Sequence, residues 1–324
     1  MIILGIETSC DDTGIALIEC DKNKKCRILS NVISSQTEVH TPYGGIVPNL
    51  AARAHLKNIE PVLKKSLKEA GHPNIDLIAV TEKPGLAPCL LVGLNFAKAL
   101  AYNWQKPIIK INHIKGHIYA NWFNKTEPKF PLLALVVSGG HTQLVLMKNH
   151  KNFKILGETR DDAVGEAFDK VAKLLGLKYP GGPLISSHAL KGDSSAFDLP
   201  RPMIHSKNYD FSFSGLKTSV LYKVKKEKKI SQKYINNMAA SFQQAALDVL
   251  IKKTIQAAKE HKVKTVILSG GVAANLELRT QLKKSVKELK IKFQMPNINL
   301  CTDNGAMIAM AAFFVYNKHY ERIT

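Results

Sequence analysis

The chain has 324 residues, enough for two domains or one large one at roughly 150 residues each. Hydrophobic residues make up 45% and charged residues 22%, which excludes disordered, collagen-like and disulfide-scaffold classes. The 46 basic residues exceed the 26 acidic ones by 20, a balance drawn to polyanions, RNA and DNA above all; only six are Arg, and a Lys-dominated excess also arises as plain surface decoration.

From the N-terminus, an apolar opening meets Glu7, Asp11 and Asp12 at once, with no basic region before it, and does not read as a signal peptide. Residues 3–18 read as strand, polar turn and strand. Helical periodicity follows over 51–70 and a short strand over 75–81. About 130 residues after the first hairpin, 133–147 repeat its pattern of apolar strand, small polar turn and apolar strand. An internal duplication explains the echo, giving two α/β lobes whose hairpin turns point into a shared cleft. A second helical segment is expected at 164–177, an exposed lysine-rich loop or helix end at 223–233, a strand at 263–269 and a buried helix at 306–316. That last apolar run is about half the roughly 20 residues a membrane span needs. The five cysteines (Cys10, Cys20, Cys26, Cys89, Cys301) show no paired or zinc spacing, so free thiols in a reducing compartment are expected.

Three polar or glycine turns directly follow apolar strands: Thr8-Ser9-Cys10-Asp11, Ser138-Gly139-Gly140-His141-Thr142 and Ser269-Gly270-Gly271-Val272-Ala273-Ala274-Asn275. Without a Cβ, backbone N–H groups can approach and cradle a phosphate. No G-x-x-x-x-G-K-[ST] or G-x-G-x-x-G motif is present, so P-loop and Rossmann readings are disfavoured, and the actin, Hsp70 and sugar-kinase architecture fits better. Asn112-His113-Ile114-Lys115-Gly116-His117 sets two imidazoles at i and i+4, on one face of a helix capped by Asn112, a spacing suited to one divalent ion. Asp303 is the best third ligand, its other role being to cap the following helix. Ile114 stands where a zinc peptidase of the H-E-x-x-H type needs its glutamate base.

These residues, together with Tyr43-Gly44-Gly45-Ile46-Val47-Pro48, Ala51-Ala52-Arg53-Ala54-His55, Gly165-Glu166-Ala167-Phe168-Asp169-Lys170, Tyr179-Pro180-Gly181-Gly182-Pro183 and Phe211-Ser212-Phe213-Ser214-Gly215-Leu216-Lys217-Thr218, resemble the bacterial and organellar TsaD family, the tRNA adenosine threonylcarbamoyltransferases. The resemblance implies an α/β, actin-like (ASKHA) duplicated two-lobe fold with a central cleft, one lobe of residues 1–115 plus about 296–324 and the other of 116–295. It implies a cytoplasmic enzyme, without a membrane anchor, that moves threonylcarbamoyl from threonylcarbamoyl-AMP to the N6 amine of the adenosine 3′ of the anticodon, in tRNAs reading codons that begin with A. An actin-like ATPase or a noncatalytic scaffold paralogue is the alternative. One divalent ion, Fe(II) favoured and Zn possible, would be held by His113, His117 and Asp303. Donor binding would fall to Val136, Val137, Ser138, Gly139, Gly140, Asp169, Gly182 and Asn275. Ser9 and Asp11 would face the cleft, and Asp11, Glu7 or the departing phosphate would accept the amine proton. Helper proteins of the TsaB-like paralogue and TsaE-like ATPase types are expected. Lys83, Pro88-Cys89, Gly305 and a short end after the last helix depart from the family pattern, and Lys83 and that end bear on partner docking.

Overall fold

The computed structural model describes residues 1–124 and 126–320. In chain order the elements are β1 (Ile2–Glu7), β2 (Asp12–Cys20), β3 (Cys26–Ser35), α1 (Thr37–His40), α2 (Pro48–Glu69), β4 (Leu77–Lys83), α3 (Ala87–Trp104), β5 (Ile108–Asn112) and α4 (His113–Tyr119). There follow β6 (Leu132–Val137), β7 (Thr142–Met147), β8 (Phe153–Glu158), α5 (Val164–Leu174), α6 (Gly181–Ala189), α7 (Ser214–Lys226), α8 (Gln232–Glu260), β9 (Thr265–Ser269), α9 (Leu276–Glu288), β10 (Lys292–Gln294) and α10 (Gly305–Tyr320). The chain divides into two compact units: Met1–Glu127 with the segment that begins at Pro296, and Pro128–Met295. The division falls at Glu127, past residue 115, so α4 lies whole in the first unit.

Each unit holds a five-stranded sheet, in the orders β3-β2-β1-β4-β5 and β10-β9-β6-β7-β8. Read outward from β1 and β6 the two orders are the same, with two successive antiparallel pairings on one side and two successive parallel pairings on the other. The duplication seen in the hairpins thus extends to the whole sheet.

In the first unit, alternation along β1 sends Leu4 and Ile6 into a core with Ile15, Leu17, Ile78 and Val80. Helix α2 supplies Ile59, Val62 and Leu63 to that core from one helical face. The opposite face of the sheet receives α10, whose residues 306–314 are all buried. Backbone meets backbone there: a Cβ on Gly5 would lie 2.1 Å from the Gly305 carbonyl oxygen. In the second unit, α5 buries Val164, Ala167, Phe168, Val171 and Ala172, and Phe168 meets Phe242 of α8 edge to face at 5.0 Å between centroids.

One expectation is overturned. Cys20 and Cys26 form a disulfide, as register partners where β2 and β3 meet, with Cα atoms 4.1 Å apart. Only the pairing of the two strands brings them together; Cys10, Cys89 and Cys301 are not disulfide-bonded. Among the described residues no helix is long and apolar enough to cross a membrane. The chain end beyond the last helix, residues 321–324, lies outside the described residues.

Candidate functional site

Helix α4 starts where β5 stops, because the Asn112 side chain accepts the Lys115 N–H at 3.1 Å. One helical turn then aligns His113 and His117, both buried, with ring centroids 4.6 Å apart. Asp303 precedes α10 by two residues, and its Oδ1 lies 3.1 Å from His117 Nε2 and 3.7 Å from His113 Nε2. The cap of α10 is Asn304, whose Oδ1 accepts the Met307 N–H at 3.0 Å, so Asp303 is not spent on capping. One ligand atom from each of His113, His117 and Asp303 lies within 4.8 Å of the others, a cluster that can hold a metal ion.

Strand alternation places Glu7 on the α10 side of β1, beside Thr81 on the neighbouring β4. Glu7 is fully buried and every oxygen contact is specific: Oε1 accepts the Ser9 N–H at 2.5 Å, while Oε2 accepts the Thr81 hydroxyl at 2.6 Å and lies 3.0 Å from His113 Nδ1. A carboxylate at Nδ1 keeps the proton there and turns the Nε2 lone pair toward Asp303 and His117. Ser9 Oγ stands 3.2 Å from the same Nδ1. Glu7 and Ser9 therefore stand behind the imidazole, away from the ligand atoms.

The electrostatics of the cluster favour a cation. Burial opposes charge on His113, but Asp303 and Glu7 outweigh it and hold the imidazole up at about 9. Burial raises Asp11, and the Asp303 charge adds to it; burial, then Asp11 and Asp303, pushes Asp12 up to about 7. Both His117 ring nitrogens are buried without a hydrogen bond. Two buried imidazoles, a carboxylate converging on their Nε2 atoms and crowded acidic groups fit a divalent transition metal.

In the second unit, β6 and β9 are parallel with Val136 opposite Ser269, so their C-terminal turns leave the sheet side by side. Val136 and Val137 are buried strand residues, and Ser138 closes its turn by donating its N–H to the His141 carbonyl at 2.8 Å, leaving Gly139 and Gly140 exposed. Gly270 has φ 91° and no room for a side chain, since a Cβ would lie 2.3 Å from the Val137 carbonyl oxygen. Asp169 Oδ1 accepts the N–H groups of Gly181 and Gly182 at 2.7 and 3.3 Å, fixing the start of α6. Asn275 caps α9 by accepting the Leu278 N–H at 2.9 Å and donates to Ser186 and Gln243, both at 2.8 Å. Its side chain is thus engaged in tying three helices together.

A family model for TsaD, tRNA N6-adenosine threonylcarbamoyltransferase, matches residues 27–310. The chain belongs to the TsaD family. It is an enzyme of that transferase class. Curated tRNA N6-adenosine threonylcarbamoyltransferases of Thermosipho melanesiensis and Syntrophomonas wolfei are 51% and 49% identical to it, each over 319 residues, covering 98% of this chain and 95% and 93% of theirs. That of Geobacillus kaustophilus is 51% identical over 320 residues, 98% of this chain and 92% of its own.

Among solved structures, full-length HypF in its phosphate- and nucleotide-bound form matches with a TM-score of 0.63 at 13% identity, over 98% of this chain and 55% of that longer one. The activator of the 2-hydroxyisocaproyl-CoA dehydratase from Clostridium difficile matches at 0.53 and 14% identity, over 100% of this chain and 98% of that one. These likenesses show the fold alone, the duplicated actin-like (ASKHA) α/β class. Within this TsaD chain, motif reading left three residues without a role. Thr81 holds Glu7. His55 accepts the Thr13 hydroxyl at 2.7 Å and donates to the Cys10 carbonyl at 3.0 Å, pinning the first turn, and burial keeps its imidazole below the ordinary value. Asn304 caps α10. His55 was visible only as part of a motif; Thr81 and Asn304 carry no signal beyond their residue type.

Proposed function

We propose that this chain transfers threonylcarbamoyl from threonylcarbamoyl-AMP to N6 of the adenosine 3′ of the anticodon in tRNAs that read codons beginning with A. The observation that carries the reading is the His113, His117 and Asp303 cluster with Glu7 behind it, in a chain about half identical to the named transferases. The donor is a mixed anhydride, already activated, so no covalent nucleophile is needed. The amine nitrogen bonds to the carbamoyl carbon, the bond from that carbon to the phosphate oxygen breaks, and AMP leaves. Asp11, made more basic by burial and the Asp303 charge, or the departing phosphate, takes the amine proton.

His113, His117 and Asp303 would hold one divalent ion, Fe(II) in preference to Zn, which when bound supplies a Lewis acid for substrate oxygens. Glu7 and Ser9 orient His113. Gly139, Gly140, Gly270 and Gly271 would offer backbone N–H groups to the AMP phosphate, with residues 136–138, Asp169, Gly182 and Asn275 as the other donor-binding positions. The target base lies in a single-stranded loop, which lowers the energy needed to present it. The work is placed in the cytoplasm, with helpers of the TsaB-like and TsaE-like types.

The test is mass analysis of nucleosides from tRNA incubated with this protein and threonylcarbamoyl-AMP, with and without such helpers. Threonylcarbamoyladenosine in wild type, lost together with stoichiometric metal in a His113→Ala, His117→Ala double variant, is expected. Its absence under every condition overturns the reading.

A further inference from the structure

The excess charge is not spread over the molecule. The unit Pro128–Met295 holds 29 basic and 13 acidic residues, net +16, whereas the other unit holds 17 and 13, net +4. Decoration by base composition would not separate units of similar length in this way. The densest part of the positive unit is 223–233, six lysines and one glutamate, which spans the end of α7, the bend after it and the start of α8.

Local structure accounts for half of these lysines. Lys223, Lys225 and Lys226 occupy the last turn of α7, where cations complement the helix dipole. Lys228 and Lys229 lie beyond that turn, and Lys233 sits in the first turn of α8, where the dipole disfavours a cation and no acidic residue compensates. None of the six is ion-paired among the described residues, in contrast to Lys170 and Lys217, which both contact Asp162. Five are exposed, Lys223 is half-buried, and Tyr222 and Ile230 are exposed beside them at 60% and 40%. Concentrated positive charge without ion-pair partners, half of it at positions that helix dipoles do not favour, with an aromatic ring at its edge, has the chemistry of a phosphate track next to a stacking platform.

We propose that the bend between α7 and α8 is a tRNA docking surface, on which Lys225, Lys226, Lys228, Lys229 and Lys233 contact backbone phosphates and Tyr222 packs on a base or ribose. The proposal rests on the tRNA-modifying reading above. It separates the docking surface from the chemistry, since none of these residues belongs to the candidate site.

The experiment compares K225Q/K228Q/K229Q with a control that loses three exposed lysines of the other unit, K57Q/K68Q/K98Q. Direct binding of tRNA is measured against salt, with heparin and phosphatidylserine vesicles as probes of generic and membrane attraction. Each phosphate contact contributes about 0.7 to 0.9 to the slope of log affinity against log salt, so the bend variant should lose about 2 in slope and roughly tenfold to a hundredfold in tRNA affinity near 0.1 M salt. Its KM for tRNA should rise while kcat and the KM for threonylcarbamoyl-AMP hold. Unchanged tRNA affinity and slope, a loss no greater than the control's, or a loss confined to heparin or vesicles overturns the proposal. A wild-type protein that binds tRNA but never modifies it would instead remove the catalytic reading and leave the docking surface standing.

Discussion

Glu7 contributes by what it does to His113. With Oε2 at 3.0 Å from Nδ1, the carboxylate both fixes the tautomer and, after Asp303, holds the imidazole's proton affinity up at about 9. In the metal-free protein this is a stability contribution with a definite sign: fully present below the unfolded value near 6.5, and lost as pH rises through about 9. Metal uptake has the opposite dependence, because the ion must displace that proton, so affinity should strengthen up to about pH 9 and then level. Glu7→Gln keeps the shape but can donate its amide to Nδ1, favouring the tautomer whose Nε2 carries the proton. The expected result is roughly 10- to 100-fold weaker metal binding, read by competition with a chelator, with the pH inflection moved down. An unchanged inflection would show that Glu7 merely fills space.

At the level of elements, Asp303 is placed by the seating of α10 on β1 and β2. Gly5 permits that seating: a methyl group there would meet the Gly305 oxygen at 2.1 Å and the Ala309 nitrogen at 2.8 Å, both backbone atoms that cannot swing aside. Gly5→Ala should therefore destabilise the fold by about 1–3 kcal/mol. Because α10 must shift to admit the methyl, metal stoichiometry should fall in the protein that remains folded. A melting temperature and metal content equal to wild type would show that the helix yields without consequence.

The whole molecule is divided unevenly along the chain. Pro128–Met295 is continuous and carries its own sheet and core, so it should fold and melt cooperatively when produced alone. Met1–Glu127 lacks the helix that covers one face of its sheet, and should stay unfolded without the segment from Pro296. Circular dichroism melts of the two fragments check both statements, and a fragment Pro128–Met295 without a cooperative transition would contradict the first. The same division exposes the concentration of positive charge in one unit, which a count over the full chain conceals.

Local rules were sufficient for much of this. Apolar runs on either side of a short polar turn specify a hairpin wherever they occur, so the two halves were recognisable from 3–18 and 133–147, and helical periodicity alone put His113 and His117 on one face. The expected helices at 51–70 and 164–177 lie within a few residues of α2 and α5, since amphipathic spacing is read within one element. Contacts between distant segments obey no such local rule. Asp303 could be proposed as a ligand or as a cap, and only the packing of α10 gave the cap to Asn304 and left Asp303 beside the imidazoles. Glu7 was legible only as one candidate base, and it took strand alternation and the β1–β4 register to put it behind His113. Cys20 and Cys26 had no recognisable spacing because strand pairing, and not separation along the chain, decides which thiols meet.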